Sequence, residues 1–82
     1  GTGHSNEHYR DIFSRAVKSV AFALNNVVIK CYTGMASSAA VAIDSLFSGN
    51  MLGSVAGDDT IFIITKSIEK ADELAAEIKN II

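Results

Sequence analysis

Gly53-Ser54-Val55-Ala56-Gly57-Asp58-Asp59-Thr60-Ile61 sets two adjacent carboxylates at a glycine corner between two apolar runs. The run before the corner, Met51 to Ala56, and the run after it, Thr60 to Lys66, each read as a β-strand. Gly57-Asp58-Asp59 is then the turn or bulge between them. Neighbouring aspartates repel each other and gain nothing from an apolar surround. Such a pair faces solvent, a metal ion or a cationic ligand.

Working outward, Ser67 is placed to cap a helix that runs to Ile82, with Glu69 near its positive end. Ala71, Leu74, Ala75, Ile78 and Ile81 form its apolar stripe. Upstream, Met35 to Phe47 has helical spacing, with Ala36, Ala39, Ala40, Ile43 and Leu46 on one side. Ser48-Gly49-Asn50 ends that helix, and Gly49 is the expected C-terminal cap. Val17 to Asn25 alternates, so Val20, Phe22 and Leu24 share a face. Asn25-Asn26 supplies the positive φ of a tight turn, and Val27 to Thr33 is the β-branched return strand. Glu7 to Arg15 reads as a short helix with Tyr9, Ile12 and Phe13 on one side. The order β-β-α-β-β-α predicts an α+β fold: a four-stranded, mainly antiparallel sheet with two helices packed on one face, plus the short N-terminal helix.

Eighty-two residues bound this to one domain with a modest core. Hydrophobic content of 49% against 20% charged residues places the chain among globular sequences. No apolar run approaches a membrane span. A net charge of -2 argues against this chain gripping nucleic acid by itself. The lone cysteine, Cys31, excludes an internal disulfide and fits a reducing, cytoplasmic compartment. Residues 1–6 read as a leader, a linker or an expression remnant, and 7–82 as the domain. His4 and His8 fall in or beside that leader and are assigned no role.

From Cys31 through Gly57 the only charged residue is Asp44. The Met35–Phe47 helix therefore offers mostly serine and alanine on its outward face. One reading is an uncharged exposed helix. The other is a subunit interface, by default that of a symmetric homo-oligomer. Asp44 in such an interface needs a partner, and a ligand's cationic group would serve. Alternatively it pairs at the surface with Lys30 or Lys66.

The aspartate pair allows three readings. A two-metal corner would need a large catalytic domain and a basic channel, and this chain is too short and too acidic for either. A plain turn suits glycine and aspartate. A cation site would use the two carboxylates to hold a guanidinium through charge-assisted, forked hydrogen bonds. Residue pattern alone does not rank the last two.

The segment Gly53–Ile64 resembles the signature of the C-terminal domain of bacterial arginine repressors, whose members carry close variants of LGTIAGDDTIF. Thr33-Gly34-Met35-Ala36-Ser37, followed by Ala42-Ile43-Asp44, resembles the same family's PGAAQ…(I/L)D helix. The similarity spans residues 17–82; its AGDDTI core is specific and the rest supportive. The resemblance implies a transcriptional regulator of arginine metabolism, with an N-terminal winged helix for operator DNA that lies outside this sequence. It implies homotrimers that stack into a hexamer and L-arginine bound between trimers as co-repressor, with no other cofactor and no metal. By position, Asp58 and Asp59 match the acidic pair that contacts arginine, and Asp44 matches the helix aspartate that does so. Ser54 and Ala56 match contact positions on the strand, Ala56 through its backbone. Ser37 aligns with a contacting glutamine.

Some positions depart from the family. Ser37 is shorter than glutamine, Ser54 replaces threonine, and Thr33 stands where proline is frequent. The Ser45–Leu52 loop is one residue shorter than in some members. These changes bear on affinity more than on location. The expectation is therefore a non-catalytic arginine-sensing and hexamerisation domain. The alternatives are an arginine-independent structural oligomerisation domain of a paralogous regulator, and a small metal-dependent enzyme. No His, Cys or Lys joins a catalytic constellation for the latter.

Overall fold

The computed structural model describes residues 2–82, with side chains from residue 7 onward. Helix α1 (Thr2–Ala16) leads into strands β1 (Val17–Ala23) and β2 (Asn26–Cys31). Helix α2 (Ala36–Phe47) follows, then a 3-10 turn at Ser48–Asn50, strands β3 (Gly53–Ala56) and β4 (Thr60–Ile64), and helix α3 (Ile68–Ile81). The sheet is antiparallel throughout, in the order β1-β2-β4-β3. This is the expected α+β architecture. Gly1, where the expected leader starts, and the side chain of His4 lie outside the described residues.

One face of the sheet makes the core. Val27, Ile29, Ile61 and Ile63 alternate inward along β2 and β4 and are fully buried. They meet Ala36, Ala39, Ala42 and Ile43 of α2 and Ala71, Leu74 and Ile78 of α3. Full burial of each large aliphatic side chain contributes about 1.5–3 kcal/mol. Helix α1 does more than the expected short helix. It packs on α2 and drives Phe13 and Ala16 fully into the core. Ser67 caps α3 as expected, its hydroxyl accepting from the Lys70 N–H at 3.1 Å.

Local details correct the sequence reading at three places. Strand β1 carries a bulge between Val17 and Ser19, so Val17 and Val20 are both buried although three positions apart. The alternation was therefore right only beyond the bulge, and Leu24 lies in the loop, largely exposed. The hairpin loop is Leu24-Asn25, and the positive φ of 55° belongs to Leu24, not to an asparagine. Asn25 is committed elsewhere. Its carbonyl accepts from the Thr65 N–H and from the Thr65 hydroxyl, both at 2.9 Å, while Asn26 pairs within the ladder. Finally, Gly49 does not adopt the left-handed conformation of a C-cap. The chain tightens into the 3-10 turn instead, which any residue accommodates.

The opposite face of the sheet is open. Register aligns Ala21, Val28, Phe62 and Val55 in one row across all four strands. Val55 is 70% exposed and Phe62 40%. No helix of the described residues is long and apolar enough to cross a membrane.

Candidate functional site

The Gly57-Asp58-Asp59 corner is held by its main chain. The Gly57 N–H donates to the Thr60 carbonyl at 2.8 Å and closes the turn between β3 and β4. The Asp59 carbonyl accepts from the Cys31 N–H at 2.7 Å, which ties the turn to the end of β2. The Asp58 carbonyl accepts from Gly34 at 3.1 Å and from Ala36 at 3.3 Å. Gly34 has φ +79°, a conformation that turns the chain so that both N–H groups meet one oxygen. Helix α2 has no side-chain cap at Met35. The Asp58 carbonyl satisfies one of its orphan N–H groups instead. The positive end of that helix also lies beside the acidic turn, which offsets part of the repulsion between the carboxylates.

With both carbonyls anchored, the two side chains remain exposed. They are not equivalent. Lys30 lies opposite Thr60 in the β2–β4 ladder, and its ammonium donates to Thr60 Oγ1 at 2.7 Å. The Thr60 hydroxyl in turn donates to Asp59 Oδ1 at 2.9 Å, and Lys30 Nζ stands 3.9 Å from the same oxygen. Among the described residues Asp58 is in no ion pair. Behind the turn, Cys31 is buried, and its thiol is pushed above its ordinary range by desolvation. The Asp59 charge adds to that shift and Lys30 opposes it.

The other predicted site residues lie along the seam between α2 and the edge strand β3. Ser37 directly follows Ala36, so it sits at the turn end of the seam. Ser54 and Ala56 pair with Ile63 and Ile61 and so share their helix-covered face. At the sheet edge, however, Ser54 is half-buried and Ala56 exposed. Asp44 is exposed on the same helical face as Ser37, two turns further on, with Val41 between them. No ion pair or side-chain hydrogen bond joins Asp44 to Lys30, Lys66 or the turn among the described residues. The structure thus brings Asp58, Asp59 and Ser37 to one end of the seam and leaves Asp44 apart.

Lys30 and Thr60 were not singled out for the corner from sequence. Only the β2–β4 pairing makes them neighbours of Asp59, and these strands are thirty residues apart in the chain. A shallow depression of about 330 Å³, lined by Gly53, Ser54, Val55, Phe62 and Ile64, lies at the far end of β3 from the turn. Its apolar lining suits an aliphatic surface more than a charged ligand. No group of three or more His, Cys, Asp or Glu that could hold a metal occurs among the described residues.

Residues 13–80 match the family model described as the arginine repressor C-terminal domain. The chain is 48% identical over 71 residues to an arginine repressor of Caldicellulosiruptor bescii, covering 87% of this chain and 47% of that protein. It is 38% identical over 80 residues to an arginine repressor of a Thermoanaerobacter species, covering 98% and 53% respectively. An arginine repressor of Clostridium tetani is 43% identical over 72 residues, covering 88% and 47%. The chain spans about half the length of these curated relatives, whose names are those of repressors and not of enzymes.

Proposed function

The chain belongs to the arginine repressor C-terminal domain family, and from that membership we propose that it is the L-arginine-sensing and oligomerisation part of a regulator of arginine metabolism. The observation that carries this reading is the Gly57-Asp58-Asp59 turn. Its main chain is fixed by four hydrogen bonds while its carboxylates face outward. A fixed acidic pair is suited to a guanidinium, which donates forked, charge-assisted bonds to carboxylates. Asp44, Ser37, Ser54 and Ala56 complete the site along the α2–β3 seam.

In this reading the open sheet face and the uncharged face of α2 are covered by further copies of the chain, first as a trimer and then as two stacked trimers. The apolar row Ala21-Val28-Phe62-Val55 supports such burial, since exposed contiguous apolar surface marks interaction sites. Arginine held between trimers binds the hexamer better than its halves and shifts assembly toward it. A hexamer then presents several DNA-binding domains at once, and avidity for paired operator sites rises. The full protein acts on operator DNA through a domain outside this sequence.

Ser37 favours a second reading, an oligomerisation domain that does not need arginine, because its hydroxyl is too short to replace a glutamine's reach. Calorimetry with arginine, citrulline, ornithine and lysine, paired with light scattering, separates the two. Heat on arginine addition with a rise in mass supports the sensing domain. Arginine-independent hexamers with no heat overturn it in favour of the structural one.

A further inference from the structure

We propose that Lys30 is an affinity-setting residue of the acidic corner, a tethered cation that holds the place of the ligand's cationic group beside Asp59 until a ligand displaces it. This rests on the corner being an arginine site. Three ion pairs occur among the described residues. Arg15–Asp11 and Lys70–Glu73 lie within single helices, at i,i+4 and i,i+3 spacing. Lys30–Asp59 alone joins a strand to the turn, and so it alone bears on the corner.

The geometry is that of a displaceable partner. At 3.9 Å the ammonium is attracted to Asp59 Oδ1 without a direct hydrogen bond, and the Thr60 hydroxyl lies between as a relay. Lys30 and Asp59 are each 51% exposed, so the flexible four-carbon stem can swing into solvent with little loss of packing. Among the described residues Asp58 has no such partner. An incoming guanidinium therefore meets Asp58 unopposed and reaches Asp59 only by moving Lys30. A ligand with a single ammonium merely exchanges like for like at Asp59. A guanidinium adds the second arm of a fork, which is where its advantage lies, while Lys30 lowers the affinity of any ligand that must reach Asp59.

The test is calorimetry of arginine binding to wild type, Lys30→Met, Lys30→Gln and Lys30→Arg, in low salt and in about 1 M salt. Removing the competitor in either neutral variant should tighten the dissociation constant about two- to fivefold in low salt, the range of an exposed pair. The gap should close in high salt, and Lys30→Arg should stay at or above the wild-type value. A lysine that served only the fold would change thermal stability without that salt signature. Unchanged or weaker binding in both neutral variants, with wild type still binding arginine, overturns this proposal alone. No arginine heat in any of the proteins overturns the sensing function and this proposal with it.

Discussion

Replacing Asp58 by asparagine isolates the free carboxylate of the corner. Asp58 holds the fold through its carbonyl, which accepts from Gly34 and Ala36, and asparagine keeps that carbonyl. Its side chain is exposed and in no ion pair among the described residues. Stability of the protomer should therefore change by no more than about 0.5 kcal/mol, as for other surface substitutions. Ligand binding should respond differently, because in the proposed arginine-bound assembly this carboxylate pairs with a cation away from water. Truncating one partner of such a pair costs about 2–5 kcal/mol. The lower value already weakens the dissociation constant about 30-fold, at 1.4 kcal/mol per decade. At an arginine concentration 100 times the wild-type constant, linkage stabilises the ligand-binding state by about 2.7 kcal/mol per site. In the variant the same concentration is only about three times the constant, and the stabilisation falls to about 0.9 kcal/mol per site. Titration calorimetry measures the first change, and light scattering across an arginine series measures the second. A folded Asp58→Asn protein that binds arginine within threefold of wild type, with the same assembly midpoint, would refute the assignment of this carboxylate.

Other expectations follow from the supports of the corner. Gly34→Ala should cost about 1–2 kcal/mol by placing a side chain at φ +79°, with no steric clash added, and thermal melting with arginine titration should show both lowered stability and weakened binding. Leu24→Asn should raise the melting midpoint by a few degrees, because Leu24 is strained at φ 55° and 68% exposed, while asparagine tolerates that conformation. Cys31 gives a pH dependence with a definite sign. Its folded thiol titrates above the unfolded one, so the native state keeps the proton longer and stability falls as pH rises past about 8.5. Cys31→Val should flatten that part of the stability–pH curve, and denaturant melts across the alkaline range would show it.

Much of this architecture was legible because each element carries its own signal. The β-branched run of β2, the apolar run of β4, the apolar stripe of α3 and the Ser67 cap are local, and the structure keeps them. The losses occur where a distant contact overrides a local preference. Asn25 has the chemistry of a left-handed turn residue, yet its bonds to Thr65 fix it otherwise and pass the positive φ to Leu24. The bulge in β1 is invisible in sequence because Val17 and Val20 violate the period of two only once the strand is paired. Gly49 looks like a cap, but α2 ends by tightening and not by reversing. At the site, the acidic turn is a contiguous motif and could be read directly. Lys30 could not, since its relation to Asp59 exists only through the ladder between β2 and β4.

The separation of Asp44 from the turn bears on how the site is completed. Ala36, which donates to Asp58, and Asp44 are eight residues apart on α2, or about 12 Å along the helix axis at 1.5 Å per residue. One guanidinium fork cannot engage Asp44 and the turn of the same chain at once across that distance. Either one ligand lies along the α2–β3 seam, with its charged ends at opposite limits, or the two acidic elements that meet one ligand come from different copies. The second arrangement is the one that fits the proposed assembly, in which arginine lies between trimers. It also gives the charge-free surface from Cys31 to Gly57 a physical role. In the proposed assembly, approaching copies meet no charge on this stretch except Asp44, so a ligand cation that neutralises it would favour their closure.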